Sequence, residues 1–185
     1  MADKPRALPP TKIAAQPCLT QAATLLLGAL AQDADVWEFG SGGSTVWFAE
    51  RVKSLTSIED NEAWAKAVAE ALQDREGALV AHVHLRYVPT AKQPDAITGA
   101  GLFDVVLVDC LRQEQRRRSI VLGATHVKPG GWLVADDYTF PKTRASVEAL
   151  RAAGWDVAVV TGVKVHPIKR VPVVTSTAFC RRSGT

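Results

Sequence analysis

Cysteine is scarce, with three in 185 residues, at Cys18, Cys110 and Cys180. An odd and widely spaced set makes neither a disulfide framework nor a zinc-ligand spacing. It suits a reducing compartment, and a cytoplasmic location is expected. Long apolar runs are missing as well. The longest, AATLLLGALA, is about half of the roughly 20 residues that a spanning helix needs, so no membrane segment is expected. The opening stretch MADKPRALPPTKIAAQP has no continuous apolar run and does not read as a signal peptide. Its four prolines suit an arm over residues 1–17, laid on the surface or disordered, ahead of a single domain over residues 18–185. An excess of one charge is absent too: 22 Lys and Arg face 19 Asp and Glu, a net +3. Composition therefore gives no argument for a nucleic-acid partner. No internal repeat is present. What remains, 47% hydrophobic and 22% charged residues, is an ordinary globular composition.

Along the chain, strand and helix patterns alternate. QAATLLLGALAQ reads as a short helix and DVWEF as a compact strand. GGSTVWFAERV then reads as a helix with Val46, Trp47 and Ala49 inward. SLTSIE is a second strand. NEAWAKAVAEALQ is an amphipathic helix whose Ala63, Trp64, Ala67, Val68, Ala71 and Leu72 recur at helical spacing, with Asp60 or Asn61 as its cap. ALVAHVHLRYV and FDVVLVDC read as the third and fourth strands, the latter buried on both faces. RQEQRRRSIVLGATHV is a helix, stopped by KPGG. GWLVADDY is the fifth strand and KTRASVEALRAAG a helix with a glycine at its end. WDVAVV and VVTSTAFCRR close the chain as strands, joined by TGVKVHPIKRVP, with the last one open to an antiparallel insertion. This alternation implies an α/β fold, with a mostly parallel sheet and helices on both faces. In such sheets a ligand binds beyond the carboxyl ends of the strands. The residues that matter are then Gly40 to Thr45, Glu59 to Asn61, Asp109, and Asp136 to Tyr138.

The turn EFGSGGST joins the first strand to a helix. Glycine lets the backbone approach a ligand, and a helix start favours negative groups. A dinucleotide fingerprint needs glycine at positions 40, 42 and 45, but Thr45 stands at the third. A nicotinamide-dependent oxidoreductase is therefore disfavoured, and the phosphate-binding GxxxxGK[ST] loop is absent. Glu59 ends the second strand, where a carboxylate can accept both hydroxyls of a ribose.

EFGSGGST, SIEDNEAW, FDVVLVDC and VKPGGWLVADDY, in this order and spacing, resemble the motifs of class I S-adenosylmethionine-dependent methyltransferases. The likeness covers roughly residues 36–138. It implies a doubly wound, Rossmann-like three-layer sandwich with a seven-stranded sheet of order 3-2-1-4-5-7-6, the seventh strand antiparallel. It also implies S-adenosyl-L-methionine as cofactor. Glu38, Gly40, Ser41, Gly42 and Ser44, with Thr45 beside them, would surround the methionine part. Glu59 would hold the ribose, Asp60 or Asn61 would lie near the adenosine, and Asp109 near the amino group and the methyl. The adenine position has no clear signature, and Asp95 is a candidate there.

Neighbouring parallel strands would bring Asp109, Asp136 and Asp137 together at the mouth. Three carboxylates there could bind Mg2+ or another divalent ion. The arrangement is similar to the metal-dependent O-methyltransferases of the catechol and macrocin types, in which a metal orients and acidifies a substrate hydroxyl. Cys110, Leu111 and Arg112 depart from those families. Two adjacent strand residues also point to opposite faces, so Asp136 and Asp137 can share a site only if the strand curls. Asp109, Asp137 and Tyr138 are the catalytic candidates. The run Arg112, Arg116, Arg117 and Arg118 could draw an anionic substrate to the mouth, but reads more readily as a solvated helix face. His82 and His84 share a strand face without a third ligand, His126 assists a helix end, and His166 is a further base candidate. The expected function is methyl transfer to a small-molecule acceptor, by preference at a hydroxyl. N-methylation and a non-catalytic cofactor-binding module are the alternatives. Oligomeric state is not legible in the sequence.

Overall fold

The computed structural model describes residues 12–74, 82–165 and 171–184. Its elements follow one another as α1 (Gln21–Ala31), β1 (Asp35–Phe39), α2 (Gly43–Phe48), β2 (Ser54–Glu59), α3 (Glu62–Gln73), β3 (Val83–Tyr87), β4 (Phe103–Val108), α4 (Gln113–Thr125), β5 (Val127–Ala135), α5 (Pro141–Ala152), β6 (Asp156–Val165) and β7 (Pro172–Arg181). Two 3-10 turns, Thr90–Lys92 and Pro94–Ile97, lie between β3 and β4. The seven strands form one sheet of order β3-β2-β1-β4-β5-β7-β6. β1 to β5 pair in parallel, and β7 runs antiparallel to both β5 and β6. This is the doubly wound arrangement that the alternation implied.

Strand alternation divides the core between the two faces of the sheet. Trp37 and Phe39 of β1, with Val106 and Val108 of β4, pack on one side with Ile120 of α4 and Val147 of α5. Val36, Val105 and Leu107 point to the other side, with Leu27 of α1 and Phe48 of α2. Fully burying one such side chain contributes about 1.5–3 kcal/mol, which holds the strand ends in fixed register. A third cluster joins Ile13 to Val46, Ala49, Val68 and Leu72, so the segment before α1 packs on α2 and α3.

Helix starts are capped locally. Thr20 accepts from the Ala23 N–H ahead of α1, and the Asn61 side chain accepts from the Trp64 N–H at 2.9 Å ahead of α3. On α3 the buried positions are Ala65, Val68 and Leu72, while Ala63 is exposed. The apolar stripe is thus rotated from the spacing first read.

KPGG also behaves differently from its expected role. α4 already ends at Thr125, and residues 128–131 lie inside β5. They form an irregularity in which the β4–β5 pairing jumps from Phe103↔Val127 to Val105↔Trp132. The Gly130 N–H donates to the Arg182 carbonyl, so this bend is tied to the chain after β7. β6 is longer than the sequence suggested and runs through Val165, forming a hairpin with β7. Among the described residues, no helix is long and apolar enough to cross a membrane.

Candidate active site

Beyond β1 the chain turns at Gly40, whose φ is +96°. A Cβ there would stand 2.7 Å from the Asp109 carbonyl oxygen, so only glycine lets the turn cross the end of β4. Around the turn, polar side chains point inward. Ser44 Oγ donates to Glu38 Oε1 at 2.5 Å, while Thr45 Oγ1 and Ser57 Oγ donate to Glu38 Oε2 at 2.6 and 2.5 Å. Thr45 Oγ1 also accepts from the Gly42 N–H, and Ser41 Oγ pairs with Ser57 Oγ. Glu38 is fully buried, and burial pushes its carboxyl up against the pull of the three hydroxyls. Glu38, Ser41, Ser44 and Thr45, expected around the cofactor, therefore use their side chains to brace the turn. A Cβ on Gly42 would meet only Trp64 Nε1, at 3.8 Å. A Cβ on Gly43 would collide with the carbonyls of Ala14 and Gln16, which lie directly on the start of α2.

Glu59, at the end of β2, accepts from the Ser41 N–H (3.0 Å) through Oε2 and from the Asn61 N–H (2.9 Å) through Oε1. It ties the glycine turn to α3. Asp60 accepts from Thr90 Oγ1 and from Gln115 Nε2. Gln115 Nε2 donates also to the Thr90 carbonyl and to Gln93 Oε1, and Gln93 is fully buried. The Gln115 amide oxygen is buried without a hydrogen-bond partner among the described residues. Asp95 instead lies exposed on Arg118, at 2.9 and 3.0 Å.

Asp109, Asp136 and Asp137 do converge, with a carboxylate oxygen of each within 4.8 Å of the others. The strand curls as their sharing requires: β5 ends at Ala135 and Asp137 has φ +51°, a left-handed conformation uncommon for a residue with a side chain. Two cations share the site. The side chain of Arg116, only 3% exposed, donates through Nη1 to Asp137 Oδ2 at 2.9 Å and through Nη2 to Asp109 Oδ1 at 3.3 Å. Its Nη1 also reaches the Asp136 carbonyl, and its Nε and Nη2 reach the Cys110 carbonyl. Lys164 Nζ lies 2.7 Å from Asp136 Oδ2, 2.7 Å from the Cys18 carbonyl and 3.6 Å from Asp137 Oδ1. Thr177 and Thr175 of β7 donate to Asp136 Oδ1 and Asp137 Oδ1.

These contacts set the ionisation. Burial and the charge of Asp136 push Asp109 up to about 8, against the pull of Arg116 and Lys164. Burial also acts to raise Asp137, but Arg116 and Lys164 outweigh it and hold this carboxyl below its usual value. Burial opposes the charge on Lys164 as well, yet the three carboxylates raise its ammonium above the usual range.

A divalent ion of the Mg2+ kind needs about six oxygen ligands. Both oxygens of Asp136, both of Asp137 and one of Asp109 already accept from protein donors, and two cations stand among them. The residues present do not fit such an ion in this arrangement.

The arginine run splits by helical period. Arg116 is buried, contrary to the expected solvated face, whereas Arg117 and Arg118 pair outside with Glu114 and Asp95. Tyr138 donates its hydroxyl to Glu148 of α5 at 2.7 Å, so its phenol is not brought to the carboxylates. His84 is exposed, His126 Nδ1 lies 3.0 Å from the Leu122 carbonyl at the end of α4, and His166 falls outside the described residues. Sequence reasoning missed Lys164, Thr175, Thr177, Gln93 and Gln115. It had a usable signal for Arg116, which stands four residues before the buried Ile120 on the same helix face.

The sheet order, the glycine turn and the acid at the end of β2 together define a class I methyltransferase. A family model described as a methyltransferase domain matches residues 37–138, more than half of the chain. The chain belongs to this family and is an S-adenosylmethionine-dependent methyltransferase. Comparison with curated protein sequences finds no match. Among solved structures, the chain resembles a precorrin-8W decarboxylase from Methanobacterium thermoautotrophicum, at 19% identity and TM-score 0.67, covering 92% of this chain and 96% of that one. A precorrin-6y C5,15-methyltransferase from Geobacter metallireducens is similar at 17% identity and TM-score 0.68, over 93% and 94% of the two chains. An O-methyltransferase from Bacillus cereus in complex with SAH is similar at 18% identity and TM-score 0.66, over 84% and 77%. At these identities the likeness is one of fold.

Proposed function

We propose that the chain transfers the methyl group of S-adenosylmethionine to a hydroxyl oxygen of a small-molecule acceptor, with Asp109 receiving the proton. The observation that carries this reading is the position and freedom of one oxygen. Asp109 Oδ2 is the carboxylate oxygen of the cluster that has no donor among the described residues. Asp109 itself abuts Gly40, the turn read as the cofactor's cradle. The Bacillus cereus O-methyltransferase, whose structure contains SAH, supports the choice of both cofactor and acceptor atom.

In this reading the main chain of Gly40 to Gly42 lies along the methionine part, and Glu59, at the end of β2, faces the ribose hydroxyls. The buried amide oxygen of Gln115 offers an acceptor beside Asp60 for the adenosine. Once Asp109 is ionised, three carboxylates stand against two cations, and the one negative charge left at the mouth favours a sulfonium. The acceptor oxygen attacks the methyl carbon in line as the carbon–sulfur bond breaks, and the hydroxyl proton passes to Asp109. The products are the methyl ether and S-adenosylhomocysteine. Because the methyl is already activated, alignment supplies much of the acceleration, up to about 7–11 kcal/mol for well-oriented reactants.

A panel of catechols, sugar hydroxyls, amines and a precorrin, incubated with labelled cofactor and resolved by mass spectrometry, tests this. The expected product carries the methyl on oxygen. Its rate should rise with pH toward about 8 as Asp109 ionises, and Asp109→Asn should abolish it. Methylation only on nitrogen or carbon, or full turnover by Asp109→Asn, would defeat the proposal.

A further inference from the structure

We infer that Arg116 and Lys164 take the place of a divalent metal at this acidic mouth, so that the chain works with built-in cations and binds no ion there. The inference rests on the same mouth being the transfer site. It concerns how the carboxylates are held, not which atom is methylated.

In a metal-dependent site, an ion does three things: it holds carboxylates that would repel one another, it orients the acceptor and it helps remove the proton. Here the first task is already done by protein groups. The Arg116 guanidinium bridges Asp137 and Asp109 and is fixed from behind by the Cys110 and Asp136 carbonyls, the ends of β4 and β5. The Phe140 ring lies 5.7 Å from its centre. Five bonds in a side chain that is almost wholly buried leave it no room to swing aside. Lys164 arrives from the opposite side, from the extended end of β6, and closes on Asp136. Its second partner, the Cys18 carbonyl, belongs to the segment before α1, so three distant parts of the chain meet at one ammonium.

An incoming divalent ion would meet two fixed positive charges within a few ångströms and would have to displace donors from Asp136, which is wholly buried. Its ligands would have to come from oxygens that already accept from Arg116, Lys164, Thr175 and Thr177, donors it would crowd or displace. Among the described residues, Asp109 Oδ2 is the one oxygen of the three carboxylates that accepts from no donor. That oxygen is left for the acceptor's proton, so proton removal also falls to a protein group.

Manganese is the probe, because its free ion has a solution resonance that binding abolishes. The full chain, purified through a chelator and saturated with S-adenosylhomocysteine, is titrated with Mn2+ and followed by electron paramagnetic resonance. The expected result is a free-ion signal undiminished at equal concentrations of protein and Mn2+, with a melting temperature unmoved by Mg2+ or chelator. Binding of one Mn2+ per chain overturns the inference. In parallel, Lys164→Met should lower the melting temperature by about 6–20 °C, and Lys164→Arg should recover part of the loss. An unchanged melting temperature in Lys164→Met would also overturn it, since the ammonium would then compensate nothing. Neither measurement uses an acceptor, so a failure of methyl transfer would count against the proposed reaction and leave these results to decide the metal question.

Discussion

Replacing Arg116 with methionine keeps most of the side chain's length and removes its charge. The perturbation leaves Asp137 and Asp109 without their guanidinium and two carbonyls, Cys110 and Asp136, without their donors. Breaking a buried ion pair by removing one partner costs about 3–5 kcal/mol. For a chain of this length each kcal/mol corresponds to about 2–4 °C in melting temperature, so a fall of about 6–20 °C is expected. The pH dependence gives the cause away. Arg116 holds the Asp137 carboxyl low and restrains the rise of Asp109. Without it, both folded-state values move up. A carboxyl whose folded value lies above its unfolded value contributes stability at low pH and loses it as pH rises through the folded value. The deficit of Arg116→Met relative to the parent should therefore be larger at about pH 8.5 than at about pH 5.5, where the orphaned carboxyls can take up protons. Thermal unfolding followed by circular dichroism at both pH values measures it. A loss below about 2 °C, or an equal loss at both pH values, would refute the account of Arg116 as the neutralising group.

Three further outcomes are expected. In the parent protein, the raised Asp109 binds its proton more tightly folded than unfolded, so melting temperature should decline as pH rises from about 6 toward about 9; Asp109→Asn should flatten that decline, and a variant with the parental slope would assign it elsewhere. Gly42→Ala should leave the melting temperature nearly unchanged while lowering S-adenosylhomocysteine affinity, because its Cβ makes only an ordinary contact with Trp64 Nε1, at 3.8 Å, and otherwise stands on the face read as the cofactor's. Gly43→Ala should do the reverse, loosening residues 14–16, which limited proteolysis would detect; identical behaviour of the two variants would mean the turn is wrongly placed. Glu59→Gln places an amide N–H against one of two backbone donors, and a lost hydrogen bond to a charged group is worth about 1.5–3 kcal/mol. Calorimetry should show affinity for S-adenosylhomocysteine reduced about 10- to 100-fold, and unaltered affinity would remove Glu59 from the cofactor site.

The alternation of strands and helices was legible because each element announces itself locally, and the lack of a helix before the last strand left it open to an antiparallel insertion; the sheet order itself came from the resemblance to class I methyltransferases. The glycine turn and Glu59 were legible for the same reason: both are ends of well-marked strands. What a local pattern does not carry is side-chain direction beyond a strand's end. Alternation along GWLVADDY puts Asp136 and Asp137 on opposite faces, yet the left-handed backbone at Asp137 turns its carboxylate back to the same mouth. That conformation is held by partners distant in sequence, Arg116 and Thr175, so no short window reveals it. Similarly, Glu38, Ser44 and Thr45 match the expected motif, but their hydroxyl-to-carboxylate bonds turn them inward. A motif match thus located the turn without saying which of its atoms face the ligand.

Arg116 and Lys164 mark the limit more sharply. A run of four arginines near a helix start reads as a solvated face, because most charged side chains are exposed. Yet Ser119, Ile120, Gly123 and Ala124 form a small and apolar stripe, and one helical turn back along it lie Gln115 and Arg116. A charged residue on such a stripe must be paired, and acids at the strand ends lie ahead of it. The helix period alone was enough to raise that question. Lys164 offered nothing comparable, because it lay in a stretch read as a linker, and its contact with Asp136 exists only once β6 and β7 extend as a hairpin beside β5. The convergence of the acids was therefore readable from strand ends, whereas their neutralisation depends on two cations delivered by a helix face and a hairpin. It is that second layer, invisible to motif spacing, that separates a metal-ready cluster from one already filled by the protein.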